Sequence, residues 1–110
     1  MLPMLRRWLV VVAWAAVIFA LSSIPSLNTG LGSWDLVLRK GAHVAEYAVL
    51  GALLLLAARR RSVALVVGSL YAVTDEIHQT FVPGRHGAPL DWAIDTLGVA
   101  AGVALATRLR

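Results

Sequence analysis

Residues 8–23 read WLVVVAWAAVIFALSS, and this stretch decides the class of fold. It contains no charged residue and no polar stripe, which a helix on the surface of a soluble bundle would need. Its length approaches the roughly 20 residues with which a helix crosses a bilayer. We therefore interpret it as a membrane-spanning helix.

Three further apolar segments, each bordered by charged residues, occupy about residues 41–58, 62–82 and 90–107. Hydrophobic residues make up 59% of the 110-residue chain and charged residues 15%, whereas soluble domains have about 45–50% and about 25%. The absence of cysteine excludes a disulfide scaffold and a thiolate metal site. The sequence predicts an all-α integral membrane bundle of four transmembrane helices, at about 8–23, 41–58, 62–82 and 90–107, in a single domain.

The first segment has an alternative interpretation. Arg6 and Arg7 precede its apolar run, and Ala20 and Ser22 are spaced like a signal-peptide cleavage site. Cleavage there would leave three spans in a very small protein.

Orientation follows from the ten basic residues, because Lys and Arg favour the cytoplasmic side of a membrane. Seven of them border the spans on one side: Arg6, Arg7, Arg59, Arg60, Arg61, Arg108 and Arg110. Arg39, Lys40 and Arg85 lie on the other side. The pattern predicts a multi-pass protein of the cell membrane with both termini cytoplasmic. Since the arginine clusters mark a membrane border, we predict no nucleic-acid partner.

All six acidic residues fall on the outer half of the predicted bundle. Glu46, Asp75 and Asp95 each lie thirteen or fourteen residues from a cytoplasmic arginine, and therefore about 20 Å above that border. Acids within a membrane normally face the protein interior or a water-filled cavity. We predict a polar pocket between spans two, three and four, open outward, with span one packed outside as support. Gly98-x-x-x-Gly102 predicts a close helix contact on the face of span four that carries the acids.

Several motifs resemble those of the VanZ-like family of membrane proteins: Lys40-x-x-His43-x-x-x-Tyr47, Asp75-Glu76-x-x-Gln79-x-x-x-x-x-Arg85, Asp91 with Asp95 and Gly98 downstream, and Ser22-Ser23-x-Pro25. The resemblance covers about residues 22–102. It implies a role in the bacterial cell envelope, because the member that gave the family its name is linked to resistance to the lipid-tailed glycopeptide teicoplanin. One position departs from the family pattern, since Asp95 stands where Asn is common.

The predicted catalytic set is Asp75, His43, Gln79 and Asp95. Asp75 is the candidate base and His43 its partner, because a carboxylate and an imidazole can exchange protons near neutral pH. Arg85 is the candidate anion clamp. The remaining predicted substrate-binding residues are Lys40, Glu46, Glu76, Tyr47 and Asp91. Such a pocket at the outer leaflet suits a lipid-linked cell-wall precursor, in addition to the lipid bilayer itself.

Two alternatives stay open from the sequence. The polar groups can instead form a structural network, with Arg85 paired to Asp91 and with Lys40 or His43 paired to an acid. They can also form a transport module, in which Glu46, Asp75 and Asp95 relay protons or hold a cation.

A metal site is a variant of the catalytic interpretation. His43-x-x-Glu46 and Asp75-x-x-His78 have the i, i+3 spacing of helical metal ligands. Because such spacings are common, they predict no particular metal, and the sequence leaves the cofactor unknown.

Overall fold

The computed structural model describes residues 2–23, 33–82 and 89–109, with side chains for residues 3–23, 37–82 and 89–108. These residues form four helices: α1 (Leu2–Ser22), α2 (Ser33–Ala58), α3 (Arg61–Gln79) and α4 (Pro89–Leu109). The prediction of an all-α chain with four helices is confirmed.

Two helix boundaries differ from the predicted spans. α2 begins at Ser33 rather than near residue 41, so Arg39 and Lys40 lie within the helix. A charged border marks where apolar sequence starts, whereas backbone hydrogen bonding continues through Lys and Arg, which are good helix formers. α3 ends at Gln79 rather than at residue 82, and the backbone N–H of Thr80 bonds to the carbonyl of Glu76 at 3.3 Å.

A very short turn joins α2 to α3. Arg59 adopts a left-handed backbone conformation with φ of 62°, and its N–H donates to the carbonyl of Leu55 at 2.7 Å. Arg60 is extended, with φ of −130°, and precedes the first turn of α3. Only these two residues separate the helices, which therefore form a tight antiparallel hairpin.

α2 is the central helix, because it contacts α1, α3 and α4. Among the described residues α1 packs on α2 and α3 and makes no contact with α4. α2 and α4 run parallel, since Lys40 pairs with Asp91 near one end and Ala48 faces Gly102 further along both helices. With α3 antiparallel to both, the four helices alternate in direction.

Glycines allow α2 and α4 to approach closely. A Cβ atom on Gly98 would lie 2.9 Å from the carbonyl oxygen of Val44, and one on Gly102 would overlap the carbonyl group of Ala48. The Gly98-x-x-x-Gly102 motif therefore forms a packing face, as its spacing predicts.

Three helical segments are long and apolar enough to cross a membrane: Pro3–Ser22, Val37–Ala58 and Pro89–Arg108. The sequence predicted four spans. α3 does not clearly meet the same criterion of length and composition, because Asp75, Glu76, His78 and Gln79 lie in its last turns.

The side chains of α3 are distributed in the opposite way to those of a helix in a soluble protein. Asp75, Glu76 and Gln79 are buried, whereas apolar side chains on the same helix are exposed: Val66, Val67, Leu70, Val73 and Ile77. In water a helix buries its apolar face. α3 thus buries polar groups and presents hydrocarbon to its surroundings.

Candidate active site

The outermost polar contact between α2 and α4 is an ion pair. Lys40 Nζ lies 2.5 Å from Asp91 Oδ1, and both side chains are partly exposed. The Lys40 ammonium is therefore paired with a carboxylate. Such a lysine–acid pair was predicted for the alternative in which the polar groups form a structural network. Its exposure indicates that it lies at the rim of the polar region.

One helical turn further in, His43 on α2 faces Asp95 on α4. His43 Nδ1 lies 3.6 Å from Asp95 Oδ1, and the side-chain exposure falls from 18% at His43 to 2% at Asp95. The second contact follows the first because of residue spacing. Lys40 and His43 are three residues apart and share one face of α2, and Asp91 and Asp95 are four apart and share one face of α4. This matched spacing is a signal from which the His43–Asp95 pairing could have been predicted.

The deepest contact joins α2 to α3. The hydroxyl of Tyr47 donates to Asp75 Oδ2 at 2.8 Å, and both residues are buried. The sequence predicted His43 as the partner of Asp75, whereas the hydrogen bond of Asp75 comes from Tyr47. Tyr47 follows His43 by four residues and therefore lies on the same face of α2.

Gln79, on α3, contacts His43 on α2. Its Nε2 lies 3.4 Å from His43 Nε2, and its side chain is buried. The ring of His43 also stacks on that of Tyr47, with centroids 6.3 Å apart. The imidazole is therefore held by contacts with Gln79, Asp95 and Tyr47.

Taken together, α2, α3 and α4 each contribute one group to a compact trio, His43, Asp75 and Asp95. One donor atom from each residue lies within 4.8 Å of the other two. We call these three residues the His–Asp–Asp trio. The structure thus brings together the four residues that the sequence proposed as catalytic, since Gln79 contacts the trio through His43.

The other predicted substrate-binding residues have different positions. Glu46 is partly buried and Glu76 is buried, and neither belongs to the trio. Arg85, the predicted anion clamp, lies outside the described residues. The predicted pairing of Arg85 with Asp91 therefore stays a prediction. Among the described residues, Asp91 forms an ion pair with Lys40.

α1 contributes more than the two serines that the sequence singled out. Trp14 donates from Nε1 to the carbonyl of Glu46 at 2.9 Å, and the hydroxyl of Tyr71 donates to the carbonyl of Ala15 at 2.5 Å. Tyr71 therefore bonds to the α1 backbone. These bonds tie α1 to α2 and α3 beside the polar cluster, which agrees with its predicted supporting role.

His78 belongs to a separate contact with α1. Its Nε2 lies 3.3 Å from Ser23 Oγ, and its ring stacks on Phe19 with centroids 4.2 Å apart. Of His43 and His78, the structure places His43 in the trio.

An imidazole between two buried carboxylates has the composition of an acid–base site. Asp95 Oδ1 lies 3.6 Å from His43 Nδ1, and Tyr47 donates a hydrogen bond to the second carboxylate, that of Asp75. His43 is the most exposed member of the trio.

The three long apolar helices and the exposed hydrocarbon around this polar cluster define a helical membrane protein. The VanZ/LLP1 family model matches residues 2–110, and the chain belongs to the VanZ/LLP1 family. No curated protein and no solved structure matches the chain.

Proposed function

We propose that this protein crosses the bacterial cell membrane four times, with both termini in the cytoplasm, and that its polar cluster is an acid–base site at the outer leaflet. The proposed substrate is a lipid-linked cell-wall precursor. The proposed cellular effect is reduced susceptibility to teicoplanin. The observation that carries the proposal is the His–Asp–Asp trio, buried between three helices and leading to a partly exposed Lys40–Asp91 rim.

The inverted side-chain distribution supports α3 as the fourth span. A helix that exposes Val66, Leu70 and Ile77 while burying Asp75 and Gln79 is stable where its surroundings are hydrocarbon. The two-residue connection to α2 favours the same environment for both helices, since they form one hairpin. The positive-inside distribution then directs the trio toward the outer leaflet.

The chemistry assigned to the site uses groups that lie in contact. His43 accepts or donates the proton that moves during the reaction, and Asp95 stabilises its charged form. Asp75, held by Tyr47, supplies the second carboxylate. Arg85 and the Lys40–Asp91 rim are the groups proposed to contact the anionic part of the substrate.

A susceptibility test in a Gram-positive host addresses this function. Expression of the chain is expected to lower sensitivity to teicoplanin more than sensitivity to vancomycin, which lacks the lipid tail. Arg85→Ala and His43→Gln are expected to abolish the difference, while Gly41→Ala, at an open helix position, is expected to retain it. Protein levels in the membrane fraction are compared by immunoblot.

Equal protection against both drugs would contradict a role specific to lipid-tailed molecules. Absence of protection from a well-expressed chain would contradict the cellular effect altogether.

A second candidate function is a membrane scaffold whose polar cluster only fixes helix register. The Lys40–Asp91 ion pair and the Tyr47–Asp75 hydrogen bond favour it, because both join residues from different helices. Buried polar networks have that role in some proteins. The Asp75 variant discussed below separates the two candidates.

A further inference from the structure

The His–Asp–Asp trio has the composition of a cation site. It contains one imidazole and two carboxylates, from three different helices, with one donor atom of each within 4.8 Å of the others. The i, i+3 spacings noted in the sequence indicated other pairs, His43 with Glu46 and Asp75 with His78. The assembled trio takes one residue from each pair and adds Asp95.

Each member of the trio presents a buried atom that lacks a hydrogen-bond partner within the described part of the chain. These atoms are His43 Nδ1, Asp75 Oδ1 and Asp95 Oδ2. Asp75 and Asp95 are only 3% and 2% exposed. Buried carboxylates are stable when they are paired or coordinate a metal, and the nearby Lys40 ammonium is bonded to Asp91.

The separation of His43 from Asp95 fits ligands of a common ion better than a hydrogen bond. The 3.6 Å between His43 Nδ1 and Asp95 Oδ1 exceeds the usual hydrogen-bond range of about 2.7–3.2 Å. Around a tetrahedral zinc ion, with ligands at about 2.0–2.2 Å, neighbouring donor atoms are about 3.4 Å apart. His43 Nδ1 and Asp95 Oδ1 would therefore need to move only slightly closer to act as two ligands of one zinc ion.

The residues around the trio have the arrangement of outer-shell partners. Tyr47 donates to Asp75 Oδ2, which leaves Oδ1 for an ion. Gln79 contacts His43 Nε2, which leaves Nδ1 on the side of Asp95. The amide of Gln79 can turn by half a rotation so that its oxygen accepts the Nε2 proton. Metal-bound histidines commonly have such a second hydrogen bond.

We propose that His43, Asp75 and Asp95 bind one divalent transition-metal ion, for which zinc is the test ion. Nitrogen and oxygen donors of this kind suit zinc, iron and manganese. Three protein ligands leave a coordination position open, as in catalytic sites. The inference concerns the same residues as the proposed function, but it replaces proton transfer at His43, since a metal-bound Nδ1 cannot carry a proton. Its test does not depend on a drug phenotype.

The experiment uses the full chain, purified in detergent through a tag without histidine and treated with EDTA. Zn²⁺ is titrated in by equilibrium dialysis, and bound metal is measured by mass spectrometry. One zinc per chain is expected. Asp75→Asn, Asp95→Asn and His43→Gln are each expected to weaken binding more than 100-fold. Tyr47→Phe is expected to weaken it by about 10–100-fold, as outer-shell changes do.

His78→Gln is the matched control for His43→Gln, since both replace a helical histidine, and it is expected to bind zinc like the unmodified chain. Visible absorption of bound Co²⁺ reports whether each variant retains the coordination geometry. Helical circular dichroism confirms that a variant without zinc is folded.

Substoichiometric zinc on the unmodified chain would overturn the proposal. Binding that survives Asp75→Asn or Asp95→Asn would overturn it as well, and so would equal loss in His78→Gln. Zinc binding without any teicoplanin effect would support the cation site and contradict the proposed function. Teicoplanin protection by a chain that binds no metal would contradict the cation site and support the proposed function.

Discussion

At the scale of single residues, Asp75 distinguishes a site that performs chemistry from one that only holds helices together. Asp75→Asn keeps the volume of the side chain and its ability to accept from Tyr47, but it removes the charge. If the cluster is catalytic, the variant accumulates normally in the membrane and loses teicoplanin protection. If the cluster is structural, its level falls, because the buried network loses its charged hydrogen-bond acceptor, and a hydrogen bond to a charged group is worth about 1.5–3 kcal/mol.

Tyr47→Phe is the companion variant, because it removes the hydroxyl and leaves the charge of Asp75 in place. Loss of a hydrogen bond to a charged group is expected to lower the free energy of unfolding by about 1.5–3 kcal/mol. Unfolding in mixed detergent micelles measures this change. An unchanged unfolding midpoint would mean that the 2.8 Å bond contributes nothing to stability.

At the scale of helices, Gly102 controls the approach of α4 to α2. Gly102→Ala places a methyl group against the carbonyl of Ala48, and such overpacking is expected to cost about 1–3 kcal/mol. Gly41→Ala is the matched control, because a Cβ there meets no atom within 4 Å. It is expected to raise stability by up to about 1 kcal/mol, since Ala favours helix. Equal effects of the two changes would contradict the close α2–α4 contact.

The α2–α3 turn offers a second test at this scale. Arg59 has a left-handed backbone conformation, which costs a residue with a side chain about 1–2 kcal/mol. Arg59→Gly is expected to stabilise the folded chain by about that amount, as judged by thermal unfolding in detergent. Arg60→Gly removes the same charge at an extended residue and is not expected to stabilise. A gain in both variants would point to charge rather than backbone strain.

At the scale of the whole molecule, the orientation of the bundle decides where the trio acts. Single cysteines at Gly87 and at Arg60 are expected to react oppositely with a membrane-impermeant thiol reagent on intact cells. Gly87 should label from outside, because the residues around it follow the acid-bearing end of α3, and Arg60 should not. The unmodified chain, which contains no cysteine, provides the background. The reverse labelling pattern would place the trio near the cytoplasm.

Much of this architecture could be predicted from the sequence, because apolar length, arginine borders and the Gly98-x-x-x-Gly102 spacing act locally along the chain. That Asp75 on α3 and Asp95 on α4 both face α2 was also predictable in outline. The hydrogen bond that Asp75 accepts from Tyr47 was not predicted, because the partner that Asp75 meets depends on the rotation of α2 and α3 about their axes. Composition distinguishes α3 from the three long apolar helices, because Asp75, Glu76, His78 and Gln79 lower the hydropathy of its last turns.

The inverted side chains of α3 have a consequence for biogenesis. Released alone from the translocon, α3 would expose Asp75, Glu76 and Gln79 to lipid, and a single Asp at the bilayer centre costs about 2.5–3.5 kcal/mol. On the proposed four-span topology, the short turn at Arg59 and Arg60 brings α3 into the bilayer together with α2, whose Tyr47 supplies the first partner for Asp75. Asp95 arrives last, on the C-terminal helix. A nascent chain truncated before Pro89 therefore lacks one acid of the trio and the glycine face that packs on α2, and it is expected to remain a substrate for membrane quality-control proteases.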